Sequence, residues 1–504
     1  MNPKEVYGRV QFPRLFSKMS PKVFIKSILI NMQLNKLIAT IDGEQYNMKE
    51  TEVKSIEFDS RKVKPGAVFI AIKGEKFDGN DFLDNAIKKG AVAVVTEKKM
   101  STELPQIVVK NTRTVMSKLA RRFYGDFEDI SNIGITGTNG KTTTSFLIHS
   151  ILKNAGKNPG LIGTIYYIGK IKSKAERTTP ESLDIFKLID QFRKDGAKAV
   201  VMEVSSHALS LKRVDDIRFQ VAVFTNLSQD HLDFHRTIED YKAAKMRIFS
   251  LLKKDGFAVF NLDDPVSESI KLMHLRNTVT YGVKNRGDMW AEIISDGIDG
   301  LGIEIFYKNQ GYRINSNLVG DFNIYNILAA FATGVAMDIN TDAIITGIEN
   351  VHSIRGRMER VVDNIFVDFA HTPSAIEKML RALKPYTYGK LIILFGCGGD
   401  RDRKKRPKMG AIASNLADFT IITSDNPRSE SPMSIIKDIE TGMKHNNYKI
   451  IEDRREAIRY AISMKEENDI LVVTGKGHEE YQIIGNRTIK FDDTEVIKEC
   501  FENL

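Results

Sequence analysis

The stretch ITGTNGKTTT at 135–144 constrains this chain more than any other. It follows ISNIGIT, which has the β-branched content of a buried strand, and it opens TTTSFLIHSILKNAG, which has helical spacing. A glycine turn between a strand and a helix aims several backbone N–H groups into one space, and the helix dipole adds positive potential there. Such a space takes phosphate. The N–H groups of Gly137, Thr138, Asn139, Gly140 and Lys141 would wrap it. Lys141 brings a point charge, and Thr142, with Thr143 beside it, offers a hydroxyl for magnesium. A strict G-x-x-x-x-G-K-[ST] pattern would need glycine where Ile135 stands, and Gly134 and Gly137 flank that position. Nucleotide binding is expected, with GTPase, kinase and ligase all open at this point.

The remaining strand signals surround that loop in kind. KAVVMEV (198–204) and QVAVFTNL (220–227) are continuous apolar runs, of the sort that parallel sheets bury on both faces. NIFVDFA, KLIILFG, FTIITS and DILVVTG follow beyond residue 353, each ending in a loop rich in Gly, Asp, Asn or Pro. Strand–turn–helix units in series predict doubly wound parallel sheets, with ligands gathered where the strands end. A chain of 504 residues exceeds one core. Three α/β blocks are read: a small one over 32–110, a central one over 111–352 and a third over 353–504.

Composition excludes other classes. No apolar run approaches the ~20 residues that span a bilayer, so no membrane insertion is expected. Cys397 and Cys500 stand alone, which argues against a disulfide framework and suits a reducing cytoplasm. Of the net charge of +9, residues 1–31 carry +5, with six Lys or Arg against Glu5. The rest is weakly basic, natural for handling phosphates and carboxylates rather than nucleic acid. Residues 1–31 lack the apolar stretch of a secretory signal, and the expectation is an upstream start with Met32 opening the functional chain. A monomer is expected.

The form GTNGKT resembles the phosphate loop of the Mur ligase family, which also contains folylpolyglutamate and cyanophycin synthetases, and the resemblance runs from Met32 essentially to the end. It implies an amide ligase using ATP and Mg²⁺, built from a UDP-MurNAc-binding domain (32–110), a central P-loop-type ATP-binding domain (111–352) and a C-terminal Rossmann-like domain (353–504). Such a ligase activates a carboxylate as an acyl phosphate, so metal-binding carboxylates and phosphate-binding cations should cluster at the loop. MEVSSHAL puts Glu203 at a strand end, and TNLSQDHLDFH puts Asp230, His231 and His235 beyond another. By resemblance Glu203 and His231 hold magnesium, and Lys245 in YKAAKMRIF is the lysine that becomes a carbamate. Asn323 and Asn326 match an adenine-contacting segment. Arg357 is the expected γ-phosphate cation, its planar fork suited to bidentate pairing. Asp368, with His371 nearby, matches a ribose-binding carboxylate.

The substrate motifs narrow the reading further. DSR at 59–61 resembles the nucleotide contact of the family branch that makes the tripeptide, through Ser60. ERTTPES supplies Thr178 and Thr179 for the muramoyl-dipeptide, and Ser205 and Arg213 extend that surface by similarity. Leu211 departs from the pattern, standing where the well-studied form has glutamine. meso-Diaminopimelate differs from lysine by one carboxylate, so its pocket needs a cation that a lysine pocket should lack. Arg428 in Asp425-Asn426-Pro427-Arg428 is that cation, with Arg401 as a second clamp and with Gly475 and Glu479 on the TGKGHEEYQ loop. The expected reaction adds meso-diaminopimelate to UDP-MurNAc-L-Ala-D-Glu; the alternative is L-lysine addition. Folylpolyglutamate or cyanophycin synthesis, or a nucleotide switch without turnover, fits these motifs less well.

Overall fold

Apolar runs that bury both faces of a strand dominate three sheets, and in each the strand ends converge on loops. The computed structural model describes residues 31–74 and 77–502, so the reading of 1–31 lies, but for Asn31, outside the described residues. Among the described residues no helix is long and apolar enough to cross a membrane.

The first sheet runs in the order Glu44–Tyr46, Gln106–Val108, Ala91–Thr96, Ala67–Ile70, Ser55–Glu57, parallel except at Glu44–Tyr46. Ala67–Ile70 is buried at every position. The helix Thr112–Tyr124 starts where the Asn111 side chain accepts from the Thr114 N–H at 2.8 Å, and it stops at Gly125, whose φ is +102. Its Met116, Leu119 and Phe123 join one continuous core with Ile56 and Ile107 of the first sheet and Phe186 of the helix Ser182–Lys194. The first domain is thereby packed onto the second. Lys187 and Glu57 add an ion pair at 2.9 Å across the join.

The central sheet has eleven strands. From Gly160–Ile162 it runs through Ala199–Glu203, Ser131–Thr136, Phe219–Phe224, Leu252–Asn261 and Thr278–Gly282 to the start of Met289–Gly297, all parallel. Alternate residues feed opposite faces. Ile133, Val201 and Val223 meet the helices Lys141–Asn154 and Asn323–Ala336, while Met202 and Phe224 face the core shared with the first domain. The sequence reading foresaw a parallel sheet, whereas the outer strands are antiparallel: Tyr166–Ile168 with Lys172–Lys174 at one edge, Met289–Gly297 with Gly300–Tyr307 and Gln310–Ser316 at the other. Tight turns at positive-φ Gly300 and at Lys308–Asn309 make those pairings without a crossover helix. They form partly solvated meanders in which Trp290 stacks on its cross-strand partner Phe306 at 4.0 Å.

In the third domain the order is Glu359–Val362, Ile365–Asp368, Ile470–Thr474, Leu391–Phe395, Phe419–Ile422, Tyr448–Ile450, parallel except for the first strand. The four apolar runs read from the sequence are therefore neighbours, and their following loops share one edge. Arg454 and Asp493, both with fully buried side chains, pair at 2.7 Å, and Arg454 Nη2 also donates to the Thr474 carbonyl at 3.0 Å. Arg454→Met leaves a buried carboxylate without its cation. It should lower stability to urea by about 3–5 kcal/mol, and adding Asp493→Leu should recover part of that loss.

Candidate active site

Two glycines with positive φ, Gly137 at +147 and Gly140 at +85, turn the chain from the strand Ser131–Thr136 into the helix Lys141–Asn154. Neither position has room for a side chain. A Cβ at Gly137 would collide with Thr225 Oγ1, and one at Gly140 with Asn326 Oδ1. Thr138 is pinned by the Tyr241 hydroxyl at 3.1 Å and the Ser228 carbonyl at 3.2 Å, and the Asn139 N–H donates to Asn226 Oδ1 at 2.9 Å. Lys141 Nζ reaches back to the Gly137 and Thr138 carbonyls, each at 2.9 Å, and burial draws its pKa down. A half-buried cation is thus tethered over a loop that opens a helix, with Thr143 buried in the first turn.

Sheet register sets what stands beside this loop. Glu203 pairs with Ile135, and Phe224 with Thr136, so both neighbouring strands end level with Gly137. Glu203, fully buried, accepts from the Thr142 hydroxyl at 2.9 Å and from the N–H and hydroxyl of Thr164, each at 2.8 Å. On the other flank Lys245, 1% exposed, donates to the Gly137 carbonyl at 2.7 Å. Burial, reinforced by the Lys141 charge, brings Lys245 well below the usual lysine range. His231 is engaged with Asp230 (3.4 Å), His207 and Tyr241, and burial lowers it to about 4. His235 meets the Ser206 hydroxyl at 2.9 Å. Glu203 and Lys245 therefore reach one loop from opposite sides, with His231 beside the Lys245 flank.

The third domain contributes directly. Arg357 Nη2 donates to Thr142 Oγ1 at 3.1 Å, the same hydroxyl that Glu203 holds, and its guanidinium lies 4.8 Å from the Phe369 ring centre. Asp368 accepts from the Met358 and Ala370 N–H groups, both at 2.7 Å, and burial raises its pKa. His371 holds the Phe369 carbonyl. Asn323 donates to the Val319 carbonyl and Asn326 to Asn323 Oδ1, both at 2.8 Å, which places the pair as braces behind Gly140.

Two further groups meet near this junction. Thr179 accepts from the Ser205 N–H at 3.0 Å, donates to the Glu203 carbonyl at 2.8 Å, and receives Arg213 on its own carbonyl at 3.0 Å. Thr178 touches Thr164 at 3.2 Å. Leu211 ends the short helix Ser206–Ser210, half-buried. Ser60 sits apart in the first domain, buried against Asn85 at 3.4 Å. In the third domain Asn426 donates to Glu479 at 2.7 Å and accepts from Lys476 at 3.4 Å, and Asp425 packs against Gly475. Arg428 Nη1 donates to the Gly399 carbonyl at 2.7 Å, and the Pro427 carbonyl leaves no room for a side chain at Gly399. Arg401 is exposed on the adjoining loop.

The sequence reading passed over Thr164, Arg355, Lys476 and His478. Lys476 is fully buried and pairs with Glu479 at 3.2 Å. Arg355 ties the domains together through Glu480 at 2.6 Å, Asp492 and the Tyr166 hydroxyl. A cavity of about 220 Å³ opens there, lined by Thr164 and Thr178 from the second domain and by Phe369, His478 and Glu479 from the third.

Known proteins share this fold. Residues 52–124 match the description "Mur ligase family, catalytic domain", 135–334 "Mur ligase middle domain" and 356–477 "Mur ligase, glutamate ligase domain". The UDP-N-acetylmuramoyl-L-alanyl-D-glutamate--2,6-diaminopimelate ligase of Bacillus velezensis is 43% identical over 479 residues, covering 92% of this chain and 98% of its own. The chain belongs to the Mur ligase family. The ligase of the same name from Clostridium botulinum is 42% identical over 486 residues, covering 94% and 100%. A solved structure of such a ligase, 30% identical, superposes with a TM-score of 0.66 over 94% of this chain and 99% of its own. The MurF ligase of Thermotoga maritima, solved in complex with ADP, has the same fold at 21% identity, with a TM-score of 0.65 over 89% and 97%.

In this Mur ligase Gly140→Ala forces an L-residue to a φ of +85 against Asn326. It should cost about 1 kcal/mol in thermal stability and weaken binding of a non-hydrolysable ATP analogue, measured by calorimetry, by about tenfold or more.

Proposed function

We propose that this ligase joins meso-2,6-diaminopimelate to the D-glutamyl γ-carboxylate of UDP-MurNAc-L-Ala-D-Glu, driven by ATP, in the cytoplasm and as a monomer. Diaminopimelate addition is the activity in the names of the relatives cited above. The observation that carries the assignment of residues is the Thr142 hydroxyl, held by Glu203 from the second domain and by Arg357 from the third. We assign 32–110 to the UDP-MurNAc group, 111–352 to ATP and 353–504 to the amino acid.

The donor set suits magnesium. Thr142 and Glu203 offer hard oxygen ligands, and among the described residues no three His, Cys, Asp or Glu side chains converge into a protein cage. That is the expected arrangement for an ion that keeps water and phosphate oxygens as ligands. Bound there, it would neutralise charge on the transferring phosphoryl group. Thr142, Glu203 and His231 would hold it. Lys245, buried and drawn well below the usual lysine range, is poised to take up CO₂ and present a carboxylate from the opposite flank.

The chain's own groups then account for the steps. Loop N–H groups from Gly137 to Lys141, other than those of Thr138 and Asn139, which Asn226 already holds, orient the phosphates; Lys141 and Arg357 balance their charge, and Asp368 accepts from the ribose. Asn323 and Asn326 hold the adenine side of the loop. Ser60 contacts the UDP group, and Thr178, Thr179, Ser205 and Arg213 seat the dipeptide with its carboxylate toward the loop. The carboxylate attacks the γ-phosphorus and ADP leaves; the amine attacks the acyl phosphate and phosphate leaves. Closure of the third domain excludes water from that intermediate.

Arg428, Arg401, Asp425, Asn426, Pro427, Gly475 and Glu479 form the amino-acid pocket, with Arg428 on the distal carboxylate. ADP release should be supported by meso-diaminopimelate and scarcely by L-lysine; preference for lysine would overturn the assignment. Arg428→Ala should lower kcat/KM for diaminopimelate about a hundredfold, the loss of one charge-assisted contact, and leave the KM for ATP unchanged. Lys245→Arg, which forms no carbamate, should lower kcat about a hundredfold with nucleotide affinity retained, and mass spectrometry of the wild-type protein kept in bicarbonate should show the added CO₂.

A further inference from the structure

We infer that His478 orients the incoming amine: its Nε2 accepts a hydrogen bond from the amino nitrogen that attacks the acyl phosphate. The inference rests on the ligase reading above and adds to it a residue that the mechanism there leaves unused.

His478 is held from three sides. Its ring lies 5.0 Å from that of Phe369, which in turn lies against the Arg357 guanidinium. A Cβ at Gly356 would collide with the His478 backbone nitrogen, and one at Gly477 would press on Phe369. Two glycines therefore let the chain approach closely enough to fix the imidazole. Among the described residues no hydrogen bond fixes the ring. Nδ1 is sealed from solvent and has no partner among the described residues. Since His478 lines the cavity at the domain junction, the Nε2 edge is the polar part of the ring that can open on it. With Nδ1 closed off, any ligand that the imidazole takes must come to Nε2.

The cavity has the right neighbours for the attacking nitrogen. Thr178 and Thr164 face it from the acceptor side, and Glu479 faces it from the amino-acid side. Lys174 and Arg355 line it too, each paired with Glu480, and with Arg357 close by they oppose protonation of His478. Burial, with these cations, holds His478 down to about 3, so it stays an acceptor rather than a proton store. The entering ammonium gives its first proton to solvent. The free amine then has one N–H directed at Nε2 and its lone pair directed at the acyl carbon. The C–N bond forms, the C–O bond to phosphorus-bound oxygen breaks, and the second amine proton leaves with the phosphate.

The test separates orientation from folding. His478→Gln places an acceptor near the Nε2 position, His478→Asn places one near Nδ1, and His478→Phe keeps volume without an acceptor. With diaminopimelate, Phe and Asn should lower kcat at least about tenfold while Gln retains most of it. The KM for ATP and the yield of acyl phosphate, trapped by borohydride reduction, should stay at wild-type levels in all three. Equal losses in Gln and Asn, wild-type kcat in Phe, or a matching loss of trapped acyl phosphate would each overturn the inference. Should Phe fail to fold, the Gln–Asn comparison still decides. Wild-type turnover is the separate control: failure there removes the ligase reading itself, and success with lysine instead moves only the substrate.

Discussion

The site depends first on a register. Three parallel strands, Ala199–Glu203, Ser131–Thr136 and Phe219–Phe224, end at one level because Glu203 pairs with Ile135 and Phe224 with Thr136. A slip of one residue would reverse every side chain on a strand, and both faces of these strands are buried, so the register cannot drift. It delivers Glu203 to Thr142 and Thr225 to Gly137, and it leaves the glycine turn no space for a Cβ. The loop is thus shaped from outside as much as by its own glycines.

Around that fixed frame the charges are arranged in tension. Lys141 and Lys245 both donate to the Gly137 carbonyl, and burial draws both below the usual lysine range. Burying a cation is costly, and an arriving polyphosphate makes the charged form of Lys141 favourable. Arg357 completes the set from another domain, joined through the packing of Gly356 on Gly477 and His478. Whatever separates the second and third domains therefore withdraws a cation from the loop, and by linkage whatever binds at the loop favours their approach.

Much of this was legible. Continuous apolar runs marked the parallel strands, and Glu203 was read at a strand end, while Asp368 was singled out by resemblance to the family's motifs and Arg428 by the cation that a second carboxylate needs. The antiparallel additions were not legible, because Glu292–Asp296 is exposed on both faces and carries no alternation to read. Thr164 follows a three-residue strand, too short to signal. Lys476 lies between Gly475 and Gly477, with His478 directly after, in a segment that reads as a turn, and only the fold shows one fully buried and the other lining a cavity. Arg355 was overshadowed by Arg357, two residues on. Asn323 and Asn326 were read for an adenine ring, and the fold adds that they brace Gly140.

Arg428 carries a wider consequence. Its φ is +53, its N–H donates to the Ile483 carbonyl at 3.0 Å, and its carbonyl receives the Gly485 N–H at 2.7 Å. The arginine is one rung of a ladder whose other rail is the hairpin of Tyr481–Ile484 and Arg487–Lys490. One residue gained or lost at the tip of that hairpin would swing the guanidinium away from Gly399 with the letter R still in place. On the role proposed for Arg428, amino-acid choice in such a chain is spelled in loop length as well as in residue identity, and two sequences that agree at this position can still disagree about what they accept.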